Sequence, residues 1–188
     1  CEWAYYHNHL LEIPFVWQGG MAIQGGVFLG TLAGLYYCRK HDIPFLAFAD
    51  IMAPAAILGQ SIGRMPNLLN GDAFGHPTGS DFGIVYPTTT LAYHTYGAQP
   101  LWPAEIWEGQ IDVLIFVLLL FISSFKHKRG QIFCLYVCFY SISRFFLEFL
   151  RGDYVTPTLG LHSAQVTSLL VIIISLACYL YLQLKGTP

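Results

Sequence analysis

Four long stretches without a charged side chain constrain this chain more than any other feature. Residues 19–38, 113–125, 131–143 and 164–184 contain no Asp, Glu, Lys or Arg. About 20 mainly apolar residues suffice to cross the hydrocarbon core of a bilayer as a helix. Only 11% of the 188 residues are charged, against about 25% in an ordinary soluble domain, so a water-facing surface could not be built from them. The expected fold is all-α: a polytopic transmembrane helix bundle, in which every backbone polar group is satisfied within its own span. Nucleic-acid binding has no basic surface to rest on, and membrane lipids are the expected surroundings.

The basic residues order the spans. Arg39 and Lys40, then Lys126, Lys128 and Arg129, then Lys185 each follow an apolar run. Cytoplasmic loops collect Lys and Arg, and one threading satisfies all three clusters. It has about five spans, at 19–38, 44–62, 104–125, 131–150 and 164–184, and puts residue 1 and the 63–103 region on the outer side. Arg64, Arg144 and Arg151 then fall on that outer side as well. The second span holds Asp50 and Pro54, which argues against a plain lipid-facing helix. Residues 63–103 are rich in Gly, Pro, Asn and Thr and read as a loop region with a re-entrant beginning. Trp3, Tyr5, Tyr6 and Trp17 suit a membrane interface, and Gly26, Gly30 and Gly34 form a small-residue packing stripe. With no repeat and no composition break, residues 1–188 read as one transmembrane domain. Cys38, Cys134, Cys138 and Cys178 read as small apolar residues without zinc-like company. No metal or cofactor is expected.

Two stretches concentrate the remaining polar chemistry. Gly63-Arg64-Met65-Pro66-Asn67-Leu68-Leu69-Asn70-Gly71-Asp72-Ala73-Phe74-Gly75 sets an Arg, two Asn and an Asp at a span end. Arg offers a planar fork of donors matched to phosphate, and Asn and glycine-permitted backbone N–H groups add neutral ones. The plain alternative is an interfacial loop with a snorkelling Arg. In the second stretch Arg144, Glu148 and Arg151 are spaced to share one helix face. Charges inside an apolar span are costly and mark function, although an internal ion pair that only packs the bundle would look the same. Three Arg at one membrane face form a cradle for an anionic lipid head group, with Glu148 holding them in place.

Taken in order, three motifs resemble the prolipoprotein diacylglyceryl transferase family. They are Trp17-Gln18-Gly19-Gly20-Met21-Ala22-Ile23-Gln24-Gly25-Gly26, then Gly63-Arg64-x-x-Asn67-x-x-Asn70-Gly71-Asp72-x-x-Gly75, then Arg144-x-x-x-Glu148-x-x-Arg151. The resemblance covers the chain from about Trp17 to its last span. It implies a seven-span fold whose first two spans would precede residue 1. It also implies transfer of a diacylglyceryl group from phosphatidylglycerol to the lipobox cysteine thiol in a prolipoprotein signal peptide, with release of glycerol phosphate. The setting implied is the bacterial cytoplasmic (inner) membrane, with the site toward its outer side.

By the same resemblance Arg64 and Arg144 are the catalytic arginines. Gln24, Gly25, Gly26, Asn67, Asn70, Asp72, Gly75, Glu108, Glu148 and Arg151 fall on substrate-binding positions. Departures bear on thiol activation. Gln24 stands where many members have His, and Gln is no general base at neutral pH. Asp72 stands for a Glu. The family's His-Pro-Ser-Gln-Leu-Tyr-Glu run is here Trp102-Pro103-Ala104-Glu105-Ile106-Trp107-Glu108. His76 and His94, in the outer loop, are candidate replacement bases. The alternatives are a paralogue using another phospholipid or acceptor, and a non-catalytic lipid-binding membrane protein.

Overall fold

The computed structural model describes residues 23–152 and 162–185. The aromatic segment before residue 19 and the beginning of the first expected span lie outside the described residues. The chain divides into two compact units, 1–45 and 46–188. In the first, helix α1 (Ile23–Lys40) carries Arg39 and Lys40 in its last turn, where cations complement the helix dipole.

The second unit holds α2 (Phe45–Asn70), a short α3 (Leu91–Tyr96), α4 (Ala104–Ser123), α5 (Gln131–Leu147) with a 3-10 turn at Glu148–Leu150, and α6 (Ser163–Lys185). Four helices, α2, α4, α5 with its 3-10 turn, and α6, are long and apolar enough to cross a membrane. The chain is thus a multi-pass helical membrane protein. Its side chains are distributed for lipid. Leu114, Val117 and Phe121 of α4 and Leu170, Ile173 and Ile174 of α6 are exposed. The buried stripe of α4 runs Glu105, Glu108, Asp112, Ile115 and Leu119, alternating steps of three and four along one face. Its apolar half packs with Ala53 and Ile57 of α2 and Ile132 of α5. Its acidic half has to be answered by partners from other helices.

Helix α2 is longer than the sequence reading allows. The 63–103 loop region, expected to start at Gly63, starts at Gly71, and Arg64, Asn67 and Asn70 ride on the last two turns of the helix. Gly59, Gly63 and Pro66 act as breakers in water. Glycine and proline are more frequent in membrane helices, where no solvent competes for the backbone. The stop comes at Gly71, in the left-handed conformation at φ 64°. There the Asp72 N–H closes onto the Asn67 carbonyl at 3.1 Å, as helix-ending glycines permit.

Residues 71–103 then form a cap with a small core of Phe74, Tyr86, Ala92 and Leu101, against which Leu68 of α2 packs. A backbone joint ties this cap to the end of α5. Gly75 N–H donates to the Trp102 carbonyl (3.0 Å), His76 N–H to Leu150 (2.9 Å) and Gly152 N–H to Phe74 (3.0 Å). A Cβ on Gly75 would overlap the Trp102 carbonyl oxygen and lie 2.8 Å from that of Leu150. Gly75 is therefore required by close approach, and Gly75→Ala should cost about 3 kcal/mol or more from overpacking. The check is the thermal midpoint and folded yield in detergent.

At the opposite end of the bundle Asp50 of α2 explains itself. Its carboxylate accepts from the N–H of Gly130 (2.6 Å) and of Phe133 (2.8 Å), at the N-terminus of α5, whose N-cap Gly130 has no side chain to do so. An anion placed on orphan N–H groups at the positive end of a helix is favourable twice over. Gln131 also donates to Gln183 of α6 at 2.5 Å, closing that end. Asp50→Ala should destabilise by about 1–2 kcal/mol, while Asp50→Asn, which keeps an acceptor, should lose less. Thermal unfolding of the two variants side by side tests the difference.

Candidate functional site

The ends of α2 and α5 and the starts of α4 and α6 meet beneath the cap, and Arg64, Glu108, Arg144, Glu148 and Arg151 converge there. Glu108 is the hub. Its Oε1 accepts from Arg64 Nη2 at 2.5 Å, and its Oε2 lies 3.8 Å from Arg144 Nη1 and 3.8 Å from Arg151 Nη1. Arg144 Nη2 pairs with Glu148 Oε2 at 2.9 Å, four residues on, and Glu148 Oε1 faces His162 Nδ1 at 3.3 Å. Both carboxylates are almost wholly buried, whereas the Arg64 and Arg144 side chains keep 20% and 15% of their surface open. The anions thus form the floor and the guanidinium groups line the mouth.

Local structure explains how each group arrives. α2 and α4 are joined by Ser61 Oγ donating to the Gly109 carbonyl at 2.8 Å, which sets Arg64 beside Glu108. Asn67 sits one turn nearer the cap. With its amide oxygen toward the cradle it accepts from Arg64 Nη1 at 3.3 Å and returns its amide to the Gly63 carbonyl at 3.2 Å. Arg144 and Glu148 are brought together by helical spacing, as expected. Arg151 is not on that row. The chain tightens to a 3-10 turn after Leu147 and then extends, with Arg151 at φ −74° and ψ 136°, so Arg151 swings across to Glu108. Glu148 holds Arg144, but the carboxylate that spans all three arginines is Glu108.

Beside the cradle a second polar knot fastens the cap to α4. The buried Tyr86 hydroxyl donates to Glu105 Oε1. Burial first, then that bond and the negative charges of Glu105 and Asp72, raise the Tyr86 pKa above its ordinary value, so it stays a donor. Asp112 lies one turn deeper than Glu108, and neither of its oxygens has a hydrogen-bond partner among the described residues.

Arg144 Nη1 is likewise buried without a hydrogen-bond partner among the described residues. A groove of about 440 Å³ lies between α5 and α6, with Arg144 in its wall. Arg144, Tyr140 and Val137 line it from α5, and Ala164, Ser168 and Val171 from α6, each set following one helix face. It offers one charged end and a long apolar flank. Chemically, the arrangement can receive an anion whose remainder is an alkyl chain.

The sequence-predicted residues divide as follows. Arg64, Asn67, Arg144, Glu148 and Arg151 converge, and Glu108 lies at their centre. Gly75 contributes the backbone joint, and Asp72 contributes the closing bond of α2 and a charge near Tyr86. Asn70 ends α2 and is exposed. Gln24, Gly25 and Gly26 lie in the first turn of α1, in the other unit. Of the candidate bases, His76 lies 3.5 Å from the Tyr96 hydroxyl and His94 packs on Tyr93. His162 escaped the sequence reading. Its signal was position: a His-Ser-Ala-Gln start to an apolar run, on the side of the threading that carries the arginines.

Comparison with known proteins agrees with this geometry. The family model described as prolipoprotein diacylglyceryl transferase matches residues 2–181. A phosphatidylglycerol–prolipoprotein diacylglyceryl transferase of Geobacillus kaustophilus is 36% identical over 187 residues, covering 98% of this chain and 69% of that protein. The protein of the same name from Staphylococcus carnosus is 37% identical over 190 residues, covering 100% and 68%. That from Staphylococcus aureus is 36% identical over 190 residues, covering 100% and 67%. With a match of this extent, and the arginine motifs assembled around one buried carboxylate, the chain belongs to the prolipoprotein diacylglyceryl transferase family.

Proposed function

We propose that this chain transfers a diacylglyceryl group from phosphatidylglycerol to the lipobox cysteine thiol of a prolipoprotein signal peptide, releasing glycerol phosphate. The relatives carry the corresponding name. The observation that carries the reading is Arg144, which keeps 15% of its side-chain surface open and lines an apolar groove between two membrane helices. A guanidinium at one end of an apolar groove suits a lipid, whose phosphate takes the planar fork and whose chains take the flank.

In this reading Arg64 and Arg144 grip the phosphodiester and act on the leaving group. The reaction turns a singly charged diester into a monoester with a charge of about −1.5 to −2. Donors aimed at that developing charge, in a site kept from water, lower the barrier. Glu108 is the internal stand-in for the phosphate. It keeps three like charges together before the lipid arrives, and as a fixed floor it leaves them poised rather than collapsed on one another. Asn67 orients Arg64, and Glu148 orients Arg144. Asn70, Asp72 and Arg151 border the site from the cap side, and Gln24, Gly25 and Gly26 belong to the substrate-binding set. One acyl chain lies along Val137 and Val171. The basic clusters support placing the site toward the outer side of the bacterial cytoplasmic membrane.

The test is transfer of labelled diacylglyceryl from phosphatidylglycerol to a synthetic lipobox peptide, in membranes containing the protein. Arg144→Ala should lower turnover by about 100-fold or more. Arg64→Lys, which keeps charge but not the planar fork, should still fall by about tenfold or more. Full turnover in both variants would refute the cradle.

A further inference from the structure

We propose that the end of the bundle opposite the cap carries a second lipid site, separate from the arginine cradle, which holds the phosphodiester of an anionic phospholipid on Arg129. This inference does not rest on the transfer reaction proposed above.

A groove of about 380 Å³ lies at that end. Asp50 and Ile51 of α2, Ser123 of α4, His127 and Arg129 of the following turn, and Ile132 of α5 line it. Its charges do not balance. Lys126, Lys128 and Arg129 crowd one turn, and among the described residues none of their side chains pairs with a carboxylate. Asp50 is the one acidic residue in segments 46–71, 113–147 and 163–185. Its oxygens already accept from the N–H groups of Gly130 (2.6 Å) and Phe133 (2.8 Å). The start of α5 is thus answered from within the protein, and the basic side chains are what remain to bind an anion.

The turn that presents Arg129 is braced. His127 Nδ1 lies 2.9 Å from the Phe125 carbonyl. The Lys128 N–H donates to Gln131 Oε1 at 2.7 Å, and Gln131 Nε2 reaches Gln183 of α6 at 2.5 Å. A guanidinium on a fixed backbone loses less freedom when it takes a partner. The other wall is apolar. Ile51 is 75% exposed on a helix long and apolar enough to cross a membrane, so it belongs to the surface that acyl chains cover. A phosphate on the planar fork of Arg129 with a chain along Ile51 and Ile132 uses both walls, whereas a soluble phosphate uses one. A zwitterionic lipid would bring its own cation against Lys126 and Lys128, so the site selects a net negative head group. The basic clusters assign this end to the cytoplasmic side, where basic pockets between membrane helices take anionic head groups. A lipid seated here touches α2, α4 and α5 together and stabilises the end from which α5 starts.

The experiment uses the full chain in detergent, titrated with phosphatidylglycerol or phosphatidylcholine. Bound lipid is counted by native mass spectrometry, and the thermal midpoint is measured alongside. Because the cradle is expected to take phosphatidylglycerol too, the comparison is made in wild type and in Arg144→Ala. In Arg144→Ala, phosphatidylglycerol should still bind and raise the midpoint. Adding Arg129→Gln should weaken that remaining binding about fivefold, and adding Lys126→Gln and Lys128→Gln as well should weaken it about a hundredfold in all. Midpoints without lipid should not move, since the three side chains are exposed or half-buried and unpaired. Diacylglyceryl transfer by Arg129→Gln alone should stay at the wild-type level. Equal binding with and without the three Gln substitutions overturns the inference and leaves the transfer reading intact. Equal binding of phosphatidylcholine overturns it, and so does an equal midpoint rise with inorganic phosphate or glycerol phosphate, which would make the groove a site for soluble anions. A fall in transfer by Arg129→Gln that tracks its loss of lipid overturns the separation of the two sites.

Discussion

A carboxylate withdrawn from water is tolerable only if positive charge follows it inward, and Glu108 brings three arginines with it. Desolvating such a cluster costs more than the ion pairs return unless their geometry is good and the remaining donors are satisfied. Among the described residues the Arg144 Nη1 has no hydrogen-bond partner. The rest of the unit reads as the framework for that arrangement. α2 delivers Arg64, α4 delivers Glu108, α5 delivers Arg144 and, through its 3-10 extension, Arg151. α6 closes the groove and sets His162 on the far side of Glu148. Even Asp50, at the opposite end of the bundle, serves this purpose, because fixing the start of α5 fixes the direction in which Arg144 emerges.

The sequence discloses the parts of this framework that depend on local pattern. Uncharged runs locate the spans, because crossing lipid is a matter of length and polarity along the chain. The Arg144–Glu148 pair is legible because four residues on a helix are neighbours. What stays hidden depends on contacts across long sequence separations. Asp50 looks like an anomaly until its partners eighty residues later are seen. Glu108 looks like one acid among three at the start of α4, and only the docking of α2 promotes it to the centre. Arg151 shares its spacing with the helical row, yet the turn that ends α5 redirects it. The end of α2 is misjudged for a related reason: glycine costs backbone entropy and proline removes an N–H, yet both are tolerated in membrane helices, where neighbouring groups satisfy the freed backbone.

Thiol activation shows the same division. The family resemblance directs attention to Gln24, where a histidine is common, and the absence of a base there suggests lost chemistry. Chemistry in a folded site depends on where a group sits, not on which segment supplies it.

The joint at Gly75 has a consequence for how freely this protein can vary. His76, Trp102 and Leu150 contribute only main-chain N–H and carbonyl groups to it, and any residue but proline carries both. The requirement on the joint therefore falls on the two positions that must lack a Cβ, Gly75 and Gly152, whose Cβ would lie 2.7 Å from the Gly75 carbonyl oxygen. The neighbouring side chains are left free to diverge without shifting Arg151 or the start of α4. A lineage adapting to new secreted substrates could remodel the rim of the cap repeatedly while the charged machinery below it kept its alignment.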